Sequence, residues 1–327
     1  MNNRLLEVNN LKMYFFLKRG IVRAVDGVSF SIDKGQSLGL VGESGCGKTI
    51  TAMSIMRLEP KPAGKIVGGK IMFEGEDLVQ KTETQMRRIR GKKIAIIMQD
   101  PMTSLNPVFT IGNQIEEAVK LHMDVKGRES IKQRVIESLE QVRIPAAETR
   151  MRNYPHQMSG GMRQRVVGAM AISCQPSLLI ADEPTTSLDV TTQAQYLRLL
   201  KQVQQETGVA LIFITHDLGI VVRMCDYVCV MYLGKIIEKA GMRELWHNPR
   251  HPYTVALMKS VPKIETKTES LYSIEGMVPS LLEMPLGCSF HPRCEKATEL
   301  CQKEYPPEKE ISEGHFVSCW SAWETYD

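Results

Sequence analysis

Residues 42 to 49 read Gly42-Glu43-Ser44-Gly45-Cys46-Gly47-Lys48-Thr49, which spells GxxxxGK[ST] in full. Glycines at this spacing let consecutive backbone N–H groups curl round a phosphate, Lys48 brings a mobile positive charge to the β- and γ-phosphates, and the Thr49 hydroxyl can ligate Mg2+. The flanks agree. Leu38-Gly39-Leu40-Val41 predicts a short buried strand, and Ile50 to Leu58 predicts a helix whose positive N-terminal end faces the phosphates. A chance match in a chain of 327 residues is expected on the order of once in a hundred sequences. The stretch therefore implies a bound nucleotide, and strand, loop and helix in this order imply an α/β P-loop core.

Composition narrows the setting. The length is roughly two domains' worth, and 43% apolar residues suffice for a substantial core. A net charge of +4 from 41 basic and 37 acidic residues is too balanced to point to nucleic acid as a partner. No apolar stretch reaches the 18 or more residues of a spanning helix, and the start, Met1-Asn2-Asn3-Arg4-Leu5-Leu6-Glu7, lacks the apolar core of a signal peptide. A cytoplasmic chain is expected, at a membrane only if a partner holds it there. Of eight cysteines, Cys46, Cys174, Cys225 and Cys229 are scattered, whereas Cys288, Cys294, Cys301 and Cys319 gather near the end. In a cytosolic nucleotide binder such a gathering points to metal rather than to disulfides.

Upstream of the loop, Leu5 to Leu11 and Val25 to Ile32 alternate as strands broken by glycine, an antiparallel β layer. Within it Tyr14-Phe15-Phe16 is an aromatic patch; core packing is its first reading and stacking on a nucleobase its second. Ile71 to Phe73 and Lys93 to Met98 predict further strands, the latter ending at Gln99, with a polar helix around Glu83 to Arg90 between them. From Pro101 to Ser159 the periodicity becomes helical, with Ile111, Ile115, Ala118 and Val119 on one stripe and Ile131, Val135, Ile136 and Leu139 on another. Met158-Ser159-Gly160-Gly161-Met162 then opens a helix to about Cys174, with Ser159 as N-cap and glycines that permit close approach of a ligand. Leu178 to Ala181 is a buried strand ending in Asp182-Glu183, and Ala210 to Ile214 is another ending at Thr215-His216-Asp217. In open α/β sheets ligands sit beyond the carboxyl ends of the strands, so Asp182 can reach Mg2+ while Glu183 faces the γ-phosphate. His216 at a strand end is by itself most simply structural, but it is expected at the same sheet edge as these carboxylates.

Taken in series these motifs resemble the ATP-binding cassette family over residues 4 to about 240. By that resemblance Gly42 to Thr49 is Walker A, Gln99 the Q-loop glutamine, Ser159-Gly160-Gly161 the signature, Asp182 with Glu183 Walker B, Ser187-Leu188-Asp189 the D-loop and His216 the switch histidine. The adenine-stacking aromatic matches Phe15 best and Tyr14 next. Met162 stands where the family usually has glutamine. Gln99-Asp100-Pro101-Met102-Thr103-Ser104-Leu105-Asn106-Pro107, Ser159 to Arg165 and Asn248-Pro249-Arg250-His251-Pro252-Tyr253-Thr254 narrow the likeness to the ATPase subunits of bacterial dipeptide and oligopeptide importers, and the Met162 departure is shared with them. Nickel and other small-solute importers are the alternative. A soluble ABC ATPase acting on DNA or the ribosome is disfavoured by the short stretch between Gln99 and Ser159 and by the single P-loop.

The resemblance implies a fold of RecA-like core, antiparallel β layer, helical subdomain over about 101–170 and a small cysteine-containing extension. The nucleotide-binding domain would span 1–240 and the extension 241–327. It implies ATP held by Gly42, Ser44, Gly45, Cys46, Gly47, Lys48 and Thr49, Mg2+ placed by Thr49, Gln99 and Asp182, and hydrolysis by Glu183 with His216, Gln99 and Lys48. Ser159, Gly160, Gly161 and Asp189 would serve nucleotide held by a second ATPase subunit. Two transmembrane permeases and, through them, an external solute-binding protein are implied as well, with the chain peripheral on the cytoplasmic face of the cell membrane.

For the late cysteines, free thiols, a zinc site and an iron–sulfur cluster compete. Structural zinc sites usually include a ligand pair two to four residues apart, and the array CxxxxxCxxxxxxCx₁₇C has none, a spacing that suits a [4Fe–4S] cube. The resemblance points the same way, since several ATPases of this kind with such an extension carry that cluster. Phe290, Phe316 and Trp320 are expected to shield it, and Arg293 and Lys296 to offset its charge.

Overall fold

A computed structural model describes residues 3–99, 104–186, 188–261 and 272–323. Its strands, in chain order, are Arg4–Leu17 (β1), Gly20–Asp33 (β2), Ser37–Val41 (β3), Gly64–Phe73 (β4), Glu76–Asp77 (β5), Ile94–Ile97 (β6), Leu178–Asp182 (β7), Ala210–Thr215 (β8), Tyr227–Tyr232 (β9), Lys235–Gly241 (β10), Lys309–Ser312 (β11) and His315–Val317 (β12). The chain forms two compact units, one of Met1–Asn3, Asp33–Gln36 and Gln80–Phe213, the other of Arg4–Ile32, Ser37–Val79 and Ile214–Asp327.

In the second unit β2, β1, β4 and β5 lie in that order as an antiparallel sheet, the layer expected ahead of the P-loop. β1 and β2 run past the predicted ends, and in β1 a bulge hides the continuation. Leu6 and Val8 are buried, then Leu11 and Met13, so the buried parity switches between them. The switch falls where the register with β4 slips between Asn9 and Lys12 and where Asn10 takes a positive φ of 49°. One extra residue there returns Leu11 and Met13 to the core face.

The same unit holds β11, β12, β10, β9 and β3 side by side. β3 is buried at every position and pairs in parallel with β9, Leu38 opposite Tyr227 and Leu40 opposite Cys229. A strand buried on both faces reads as a continuous apolar run, which is why Leu38 to Val41 was recognisable. From it the chain enters the helix Lys48–Ile55. β12, from the cysteine-containing end, pairs antiparallel with β10 through Glu238 opposite Val317.

In the first unit β8, β7 and β6 are neighbours, with β6 and β7 parallel and Ile97 opposite Ala181. Between β6 and β7 come the helices Ile111–His122, Arg128–Gln141, Ala147–Arg150 and Gly160–Ile172. Ile111, Ile115, Val119, Ile131, Val135 and Leu139 are buried as their spacing predicts. Arg134 is buried beside them and donates from Nε to the Ser173 carbonyl at 2.8 Å, which satisfies an end carbonyl of the helix Gly160–Ile172. Among the described residues no helix is long and apolar enough to cross a membrane.

Candidate nucleotide site

The loop Gly42 to Thr49 is a backbone cradle that side chains would fill. A Cβ at Gly42 would stand 2.2 Å from the Met231 carbonyl oxygen, and one at Gly47 would stand 2.4 Å from the Ala24 carbonyl oxygen. Both glycines have positive φ, 155° and 106°, so space and backbone demand glycine together. Lys48 is 5% exposed and donates from Nζ to the carbonyls of Gly42 at 2.7 Å and Glu43 at 3.0 Å. Cys46 is buried next to it, and burial raises its thiol above the usual range. Ser44 and Gly45 are exposed and Thr49 is half-buried.

Glu43 is gripped from the far end of the chain. Its carboxylate accepts both arms of the Arg293 guanidinium, Nη1 to Oε2 at 2.7 Å and Nη2 to Oε1 at 3.1 Å. Its N–H donates to the Tyr253 hydroxyl at 2.9 Å. Tyr253 is fully buried in an aromatic group with Tyr232 and Phe290, ring centroids 4.7 and 5.3 Å away. The fork of Arg293, whose place beside Cys294 suggested a counter-charge to the cysteines, lies on the Glu43 carboxylate. Phe290 is buried, but among the tyrosines and His251.

Tyr14 and Phe15 are adjacent on β1 and so face opposite sides of its sheet. The Tyr14 hydroxyl donates to Asp26 at 2.7 Å, and the Arg23 guanidinium lies 5.9 Å from its ring centroid. Phe15 is half-buried on the side of Met13 and Gly64. His216 is exposed immediately past β8.

In the first unit β7 delivers a buried Asp182 and then Glu183, whose φ of 43° is unusual for a residue with a side chain. The turn is held. Gln99 Nε2 donates to Glu183 Oε2 at 3.3 Å, Thr186 Oγ1 donates to the same oxygen at 3.2 Å, and buried Gln164 donates from Nε2 to the Pro184 carbonyl at 2.6 Å. Gln99 and Glu183, 84 positions apart, are therefore brought together. Ser159 caps the helix Gly160–Ile172, its Oγ accepting from the Met162 N–H at 3.4 Å, and is exposed. Asp189 caps Val190–Thr207, accepting from the Thr192 N–H at 3.0 Å and hydroxyl at 2.6 Å, and these bonds hold its carboxyl below the usual range. Asp100 to Thr103 of the Q-loop motif and Ser187 of the D-loop motif lie outside the described residues.

Cys288, Cys301 and Cys319 are buried and Cys294 half-buried. Burial raises the Cys288 thiol to about 11, and the thiols of Cys319, Cys301 and Cys294 push it the same way. Burial also raises Cys294, with Cys319 and Cys301 adding to it. Among the described residues no group of three or more His, Cys, Asp or Glu is arranged to hold a metal ion.

Reading the sequence missed Thr186, Gln164, Tyr253 as a loop contact and the Arg293–Glu43 pair. Thr186 and Gln164 sit within or three residues after quoted motifs, so a hydroxyl next to Glu183 was a usable signal. The pair spans 250 positions and leaves no local trace.

This strand–loop–helix cradle defines a P-loop nucleotide-binding protein. The family model for ABC transporters matches residues 25–186, and that for the C-terminal region of oligopeptide/dipeptide transporters matches 237–301. The chain is 51% identical to a probable peptide ABC transporter ATP-binding protein of Sinorhizobium fredii, over 97% of this chain and 94% of that one. It is 49% identical to the oligopeptide transport ATP-binding protein AppD of Bacillus subtilis, over 97% and 96%. A solved structure of cbiO1 from Clostridium perfringens, part of an ABC transporter complex, superposes with a TM-score of 0.65 at 25% identity, covering 76% of this chain and 92% of that one. The chain belongs to the ATP-binding cassette family, in the branch of ATPase subunits that serve dipeptide and oligopeptide import.

Proposed function

We propose that the chain couples ATP hydrolysis to peptide uptake through the residues named above, with one cassette region, 1–240, and an extension, 241–327. The observation that carries this is the Glu183 carboxylate, set just past buried Asp182 and held by Gln99 and Thr186. Lys48 and the loop amides grip the phosphates of ATP. By the motifs they occupy, Thr49, Gln99 and Asp182 would hold Mg2+, which would supply neutralisation of phosphate charge. Glu183 accepts a proton from the attacking water, and His216 donates to the γ-phosphate. Phosphoryl transfer needs positioning and charge stabilisation above all, which is what such groups supply. The base of the nucleotide stacks on Phe15, the side of β1 opposite the Asp26-bonded Tyr14.

Ser159, Gly160, Gly161 and Asp189 are exposed or half-buried and serve the nucleotide of a second, homologous ATPase subunit. Two permeases anchor the pair at the cytoplasmic face of the membrane and receive peptide from an external binding protein. Co-purification of the complex in vesicles tests this: ATP turnover should rise severalfold when peptide-loaded binding protein is added. Turnover indifferent to peptide but stimulated by a nickel-loaded binding protein would move the chain to the small-solute importers.

Cys288, Cys294, Cys301 and Cys319 hold a structural [4Fe–4S] cluster. What supports it is the spacing of the four cysteines and their burial, Cys288, Cys301 and Cys319 buried and Cys294 half-buried. Protein purified without oxygen should be brown and carry about four irons per chain. A colourless protein with one zinc would replace the cluster by zinc on the same ligands.

A further inference from the structure

The extension reaches into the phosphate loop itself. Glu43 is the second residue of the P-loop, and three of its polar groups are held: the carboxylate by Arg293, the N–H by the Tyr253 hydroxyl, the carbonyl by Lys48 Nζ. The first two holders come from the C-terminal extension, 250 and 210 positions away. The Arg293 side chain is only 4% exposed while that of Glu43 is 28% exposed, so the arginine is the fixed end of the pair. It is fixed by more than Glu43. Nε donates to the Glu275 carbonyl at 3.1 Å, Nη2 to the Ile274 carbonyl and Nη1 to the Tyr232 hydroxyl, both at 3.4 Å.

A P-loop binds phosphate with backbone amides, so its affinity depends on how much of the loop's freedom is already removed before nucleotide arrives. A planar guanidinium fork sets both the position and the orientation of a carboxylate, which a lysine ammonium cannot do. Lys48, the phosphate-binding cation, rests on the carbonyl of the very residue so oriented. We infer that Arg293 is a positioning residue for nucleotide binding: acting through Glu43, it preorganises the loop and the rest position of Lys48. The inference rests on the P-loop being the ATP site and is independent of what the cysteines hold.

The test uses the full-length chain, with equilibrium titration of ATP and steady-state turnover in the assembled complex. Arg293→Gln should weaken ATP binding roughly tenfold, about 1.4 kcal/mol, and raise KM alike, with kcat within about twofold. Glu43→Gln should do the same, and the double variant should bind no worse than either single one, since both remove one interaction. Arg293→Lys should recover only part of the loss. If Arg293→Gln fails to fold, Glu43→Gln decides alone, because it leaves Arg293 its contacts with Tyr232, Ile274 and Glu275. ATP affinity within twofold of wild type in Glu43→Gln, or additive losses in the double variant, would overturn the inference. Lys48→Ala separates the two levels: if it too binds ATP normally, the P-loop reading fails; if it alone loses binding, only the role of Arg293 fails.

Discussion

Replacing His315 by leucine should destabilise the C-terminal extension in a way that depends on pH. His315 and Glu238 have fully buried side chains, with Nε2 to Oε1 at 2.8 Å, and His315 Nδ1 lies 3.4 Å from Glu244. Burial alone would lower the pKa of His315, but its bonds to and attraction by Glu238, then Glu244, outweigh it and raise the pKa. The Glu238 carboxylate also accepts the N–H groups of Arg250 at 2.7 Å and His251 at 3.0 Å. Removing one partner of a buried pair costs about 3–5 kcal/mol, and the two remaining amides place this case near the lower figure. The sign follows from the raised pKa. The folded chain keeps its proton to higher pH than the unfolded one, so the stabilisation is complete below about pH 6.5 and is lost as pH rises through the folded value. The gap between wild type and His315→Leu should therefore be about 3 kcal/mol at pH 6 and shrink toward about 1 kcal/mol, one neutral hydrogen bond, at high pH. Urea unfolding followed by tryptophan fluorescence reads it, because Trp320 and Trp323 pack edge to face, ring centroids 4.7 Å apart, just beyond β12. A gap of equal size at pH 6 and pH 9 would refute the charged pair.

Thr186→Val should cut kcat severalfold with KM unchanged, because the hydroxyl's bonds to Glu183 Oε2 and to the Glu183 carbonyl, both at 3.2 Å, are lost; a rise in KM alone would contradict this role. His251 is buried with its pKa pushed down to about 4, and its Nδ1 accepts from the Tyr253 N–H at 3.1 Å as cap of the helix Pro252–Lys259. Its depressed value means stability present above about pH 6.5 is lost as pH falls toward 4. His251→Asn, which keeps a cap acceptor without the titration, should flatten that acid limb in urea melts, and an unchanged limb would exclude His251 as its source.

The parts of the fold legible in the sequence were those written in local pattern. The buried runs of β3 and β7, the helical stripe Ile111-Ile115-Val119 and the glycine spacing of the P-loop each follow from residues a few positions apart. The end of β1 was not legible, because the bulge at Asn10 breaks the alternation that marks a strand. The cysteine-rich end showed little pattern because β11 and β12 are short and owe their order to pairing, β12 with β10 and β11 with β12. At the site the motif residues were readable and their holders were not. Glu183 could be named from its strand, but nothing near Arg293 tells that its fork lies on Glu43.

The central claim, that Glu183 is the base for ATP hydrolysis in a peptide importer, is tested by turnover of Glu183→Gln in the assembled complex. The amide keeps the shape and the contacts to Gln99 and Thr186 while losing the basicity, so ATP should bind within a fewfold of wild type and hydrolysis should fall by about a hundredfold or more. Turnover within a fewfold of wild type would contradict the account.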